Sequence, residues 1–180
     1  AKEKEVCDKL FGKALEAATV TWPPPRKPPA ELRDAYTIGG RMHFHEYFLM
    51  QQQNGGRGYD WSTPVMESYR AKNNTCGGYD LDFCDIIMSR YAEQLIEGKS
   101  TLVVGSQSPW AEAALYNSKA RHVTTVEYMR IHSDYRNFTY LHPSDIARKY
   151  LDRKWEAVDV GFSYSSVEHD GLGRYGDPLN

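Results

Sequence analysis

Residues 165–180 read SSVEHDGLGRYGDPLN, and they place Glu168, His169 and two aspartates among glycines directly after an apolar, β-rich run. A carboxylate beside an imidazole is the pairing from which an enzyme draws a general base, because histidine titrates near neutrality and a neighbouring acid orients the ring. The same residue types also serve structure: Glu168 and Asp170 can cap local amides, and the glycines can satisfy turns.

A second group lies upstream. The run LVVGSQSPWAEA turns at Gly105 and Ser106, and HVTTVEY ends on Glu127, 22 positions after Gly105. That interval is close to the roughly 20 residues at which an acid grips ribose hydroxyls in nucleotide-binding sheets, since one carboxylate accepts two hydroxyl protons. GSQSP carries one glycine where a dinucleotide site shows G-x-G-x-x-G, so a mononucleoside cofactor is expected rather than a pyrophosphate. In open α/β sheets ligands collect beyond the carboxyl ends of the strands. That rule adds Ser144, Asp145 and Ser165 to Gly105, Ser106 and Glu127.

These residues need strands and helices to hold them. Leu81, Cys84, Ile87, Met88, Tyr91, Leu95 and Ile96 recur at three- and four-residue steps, which predicts a helix of four or more turns stopped by Gly98. STLVVGSQSP predicts a strand ending at Gly105, WAEAALYNSKA a helix and RHVTTVEY a second strand. NFTYLHPSD reads as a strand with a turn at Pro143, IARKYLDRK as a helix and EAVDVGFSYSS as a further apolar strand. Alternating strands and helices predict an α/β fold with a mostly parallel, Rossmann-like sheet and flanking helices. Its regular part spans 99–180 within an α/β domain over 31–180.

Residues 2–18 place Val6, Leu10, Leu15 and Ala18 at near-helical spacing, predicting an amphipathic arm. Five prolines in the seven residues 23–29 follow as an extended spacer, so that 1–30 read as a helix and linker, either a solvated tether or an arm that grips another chain. Residues 36–78 are rich in aromatics, Gly, Gln and Asn and show weak periodicity. HFHEYF at 43–48 contains His43, His45 and Glu46, but no further ligand stands at a matching spacing, so no metal site is expected.

Composition excludes other classes. Lys and Arg number 22 against 24 Asp and Glu, a net charge of −2 with no pull towards nucleic acid or anionic lipid. No apolar run approaches the roughly 20 residues of a membrane span. The charged start lacks a signal-peptide core, although Ala1 in place of Met points to a processed segment. Cys7, Cys76 and Cys84 are read as free thiols, which favours a reducing compartment without assigning one.

LVVGSQSPWAEA, HVTTVEY, the strand into SDIA and VDVGFSYSSVEHDG together resemble motifs one to four of the class I S-adenosylmethionine-dependent methyltransferases. More narrowly, VGSQSPWAEA and the closing EHDGLGRYGDP signature are similar to a domain family of unknown function with a methyltransferase-like sheet. The likeness covers residues 79–180. It implies S-adenosylmethionine as cofactor, with Gly105 and Ser106 lining its methionine part, Glu127 holding the ribose and Asp145 facing the adenine amino group. Ser165, Ser166, Glu168 and His169 would then stand beside the transferable methyl. It also implies a strand order 3-2-1-4 for the four strands present, and continuation beyond residue 180. Strand four would expose an edge, which a protein partner is expected to cover. The alternative to an enzyme is a non-catalytic methyltransferase-like subunit, built into a larger assembly through the arm, the spacer and that edge.

Overall fold

The computed structural model describes residues 2–17, 29–45, 58–72, 81–172 and 177. They belong to two compact units, one formed by Ala1–Gly56 with Glu168–Asn180 and the other by Arg57–Val167.

In the first unit, helix α1 (Lys2–Ala17) matches the expected arm, and Val6 and Leu10 of its stripe stand exposed at 52% and 61%. Helix α2 (Arg33–Thr37) ends at Ile38 in a left-handed conformation. The Tyr36 hydroxyl donates to the carbonyl of Gly171, which ties the closing segment to this helix. Of the proline-rich spacer, residues 23–28 lie outside the described residues, as do Glu46 and Cys76. Cys7 is a free thiol.

The second unit holds the sheet. Strands β2 (Ser100–Val104), β3 (His122–Val126), β5 (Phe138–Leu141) and β6 (Val160–Ser163) pair in parallel in the order β5-β3-β2-β6. Counted in chain order these four strands run 3-2-1-4, as the resemblance implied. Strand β3 buries Val123, Thr124, Thr125 and Val126 in succession, the pattern of a strand covered on both faces.

Helix α4 (Leu81–Leu95) leads into the sheet, and the Gly98 that follows has φ +71°, the left-handed turn glycine adopts without a Cβ penalty. Helix α5 (Trp110–Asn117) connects β2 to β3. Helix α6 (Pro143–Leu151) begins at Pro143 itself, where the sequence suggested a turn: proline's missing N–H and fixed φ suit the first helical position. Its cap is His142, whose ring accepts from the Ser144 amide while Asp145 accepts from the His142 amide at 3.3 Å.

The largest departure from the sequence reading is residues 59–72. Strand β1 (Tyr59–Asp60) pairs in parallel with β4 (Ile131–His132), and helix α3 (Thr63–Lys72) packs on α5. Gly58, at φ +78°, lets the chain pass so close to the Arg130 carbonyl that a Cβ would lie 2.1 Å from its oxygen. The pairing thus begins where only glycine fits. Trp61 and Met66 carry this segment into a cluster with Ala113 and Ile131, beside the second cluster of Met88, Ile96, Val103, Ala111, Leu115 and Val123.

Candidate functional site

The turn leaving β2 and the residue ending β3 are built as one structure. Gly105 has φ +73° and donates its N–H to the Val126 carbonyl at 2.9 Å, which presses the turn against the end of β3. There the buried Glu127 carboxylate accepts the Ser106 amide at 2.9 Å on one oxygen and the Met129 amide at 3.1 Å on the other. Gly105, Ser106 and Glu127 therefore meet, as the spacing suggested. Ser166 also meets them. A Cβ on Gly105 would lie 1.7 Å from Ser166 Oγ, so the absent side chain makes room for the loop after β6. Ser165, just before it, takes φ +48°.

Beneath this turn lies a residue the sequence reading passed over. Glu112, in the first turn of α5, is fully buried. Its Oε1 accepts from the Thr125 hydroxyl at 2.7 Å, and its Oε2 stands 3.1 Å from Ser106 Oγ. Desolvation pushes its carboxyl up to about 7, with the nearby Glu127 charge acting in the same direction and the Thr125 and Ser106 hydrogen bonds opposing. The available signal was its isolation: it is the only ionisable side chain between Trp110 and Leu115, in a run otherwise of alanines and one tryptophan.

This burial carries a pH dependence. The folded chain keeps a proton on Glu112 up to about pH 7, whereas the unfolded side chain gives it up near 4.5. Its contribution is complete below pH 4.5 and is lost as pH rises to about 7, a fall of about 3 kcal/mol from the two values. Glu112→Gln is expected to flatten that slope, and urea unfolding of both proteins on either side of the interval measures it. A wild-type stability that rises with pH to the same extent as the variant's contradicts the assignment.

Beyond Glu127 the surface opens into a cleft of about 850 Å³, whose walls include Tyr128, Tyr140 and His142 from the carboxyl ends of β3 and β5 and Asp145 from the first turn of α6. Asp60 and Arg130 line it from the β1–β4 side. The Tyr140 hydroxyl donates to the Glu127 carbonyl at 3.1 Å. Burial raises that phenol to about 12, and the charges of Glu127 and Asp145 add to the effect. Tyr128 and His142 meet edge to face, with ring centroids 5.7 Å apart. Burial lowers the His142 pKa, which fits a neutral ring whose Nδ1 accepts from Ser144. Asp145 is held by the helix cap and by Arg148 at 3.1 Å.

Glu168 and His169 occupy a short 3-10 turn, Val167–His169, and belong to the first unit. The His169 ring nitrogen lies 3.8 Å from the Glu168 carboxylate. In the same unit Asp170 titrates above its ordinary value, chiefly through burial and then through the charge of buried Asp177. Among the described residues no group of three or more histidines, cysteines, aspartates or glutamates could hold a metal ion, and no helix is long and apolar enough to cross a membrane.

Residues 98–180 match a family described as Caenorhabditis protein of unknown function, DUF268. No curated protein and no solved structure matches the chain. The matched stretch includes the four parallel strands, the Glu127 turn and the closing EHDGLGRYGDP signature.

Proposed function

We propose that the chain is an S-adenosylmethionine-dependent methyltransferase-like protein, its acceptor unassigned, with the cofactor's nucleoside held at the carboxyl ends of β3 and β5. The observation that carries this reading is the cleft, walled by aromatic and charged side chains, that opens beyond a buried acid at the end of the second strand of a 3-2-1-4 parallel sheet.

The residues present fit such a group. Glu127, bordering the cleft through its neighbour Tyr128, brings to the end of β3 a carboxylate, the acceptor type a vicinal diol requires. Tyr128, Tyr140 and His142 supply flat faces for a heterocycle, and Asp145 an acceptor for its amino group. Gly105, Ser106 and Ser165 would border the remainder. S-adenosylmethionine supplies an electrophilic methyl on a sulfonium. The protein's share is orientation and removal of the acceptor's proton.

Calorimetric titration with S-adenosylmethionine tests the reading. The wild type is expected to bind, and Glu127→Ala to bind at least about tenfold more weakly, the equivalent of roughly 1.4 kcal/mol. An analogue lacking the ribose hydroxyls should distinguish the wild type from the variant far less than the cofactor itself does. Absence of binding by the wild type overturns the proposal.

A second reading, a non-catalytic subunit of a larger assembly, is favoured by two observations. Ser166 fills the space that Gly105 leaves, and among the described residues β6 pairs with β2 alone. An unpaired strand edge invites a partner chain, and the exposed Val6 and Leu10 of α1 offer an apolar stripe to one. Sedimentation of the purified chain as a lone monomer at all concentrations would count against it.

A further inference from the structure

Ser106 has one hydroxyl proton and two acceptors within reach. Its Oγ lies 3.1 Å from the Ser108 carbonyl and 3.1 Å from Glu112 Oε2. We propose that Glu112 is a positioning residue that works through Ser106, so that its protonation state decides whether the Ser106 hydroxyl braces the turn over residues 105–109. With Glu112 protonated, its O–H donates to Ser106 Oγ, the Ser106 O–H donates to Ser108, and the Thr125 hydroxyl donates to Glu112 Oε1. Every polar atom named is then satisfied. With Glu112 ionised, its proton passes to water and both hydroxyls donate to the carboxylate. Ser108 then keeps only the Trp110 amide, at 2.8 Å.

Burial supports the switch, because a fully desolvated carboxyl holds its proton up to about 7. Among the described residues the charged and titratable groups around it are few. Glu127 lies beyond Ser106 and favours the protonated form. Tyr116 stands one turn along α5, its hydroxyl donating to the Asn137 carbonyl. From α3, Glu67 and Arg70 pair with each other at 3.0 Å, and both bond the Tyr135 hydroxyl. From β3, Thr125 is uncharged, and His122 is engaged with Thr139 at the strand's opposite end. The turn concerned is the one offered to the cofactor in the reading above. The inference itself rests on the hydrogen bonds, and its test contains no cofactor, so it and that reading fail separately.

Amide resonances and the infrared carbonyl band of protonated carboxyl groups, followed across pH on the isotope-labelled chain, decide it. In the wild type the Trp110 amide, which shares the Ser108 carbonyl, should shift with a midpoint near 7 in step with the loss of one carboxyl band. Glu112→Gln offers Ser106 an N–H donor and Thr125 a C=O acceptor, reproducing the protonated pattern. It should lack the band and hold the Trp110 amide at its acidic-limit position at every pH. In Ser106→Ala the band should still titrate while the Trp110 amide ceases to follow. A wild type without a neutral-range carboxyl band, a Trp110 shift that persists in Glu112→Gln, or one that persists in Ser106→Ala each overturns the proposal. Should Glu112→Gln not fold, the wild type and Ser106→Ala decide it alone.

Discussion

Gly105→Val is expected to destabilise the chain by about 4 kcal/mol, the sum of two separate costs. The first is conformational: at φ +73° a β-branched residue is held in the left-handed region, worth roughly 1–3 kcal/mol. The second is steric. The new Cβ would lie 1.7 Å from Ser166 Oγ and 2.6 Å from Ser166 Cβ, and since the latter cannot be rotated away the loop backbone must move, again roughly 1–3 kcal/mol. The two parts separate experimentally. Adding Ser166→Gly should recover the steric part and leave the conformational one, as read from urea midpoints of the two single variants and the double variant. If Ser166→Gly recovers nothing, the loop after β6 does not lie on Gly105 as described.

Trp61→Ala is expected to cost a similar roughly 3–5 kcal/mol, because the indole is 2% exposed and its loss opens a cavity among Met66, Ala113, Ile131 and Phe138. Val6→Ala, on the exposed stripe of α1, should stay within about 0.5 kcal/mol of wild type. Urea unfolding followed by far-ultraviolet circular dichroism compares them. Near-equal midpoints for the two variants would mean that residues 59–72 are an appendage and not part of the sheet unit's core. The substitution also bears on the cleft, since Trp61 is flanked by Asp60 and Ser62 in its wall.

The parallel sheet was legible because it rests on short-range signals. A strand-forming run such as Thr101, Leu102, Val103 and Val104, three of its four residues β-branched, closed by a glycine and followed by an alanine-rich helix, needs no distant residue to be recognised. Glu127 was legible for a related reason: a strand, a turn, a helix and a second strand occupy a nearly constant length of chain, which returns an acid at that interval to the neighbouring strand end. Helix α3 was not legible. Met66 is its only buried residue among those described, and its apolar face acquires meaning only through Ala113, Ile131 and Phe138, which arrive from three later segments. Glu112 was missed on similar grounds, since sequence patterns place glutamate on solvated faces and only the meeting of α5, β3 and the Ser106 turn removes it from water.

The sequence by itself determined the alternation of strands and helices from residue 81 onward through the four-stranded sheet, the N-terminal helix, and the acid at the end of the second strand, each written in local spacing that backbone geometry converts directly into structure. Tertiary structure alone decided the rest. Gly105 serves the approach of Ser166, the cleft borrows Asp60 from a segment that looked irregular, and a glutamate inside α5 holds its proton to neutrality. In all three cases a residue's role depends on what is excluded around it, a neighbouring side chain, bulk solvent or an opposing charge, and exclusion is a property of packing rather than of spacing along the chain.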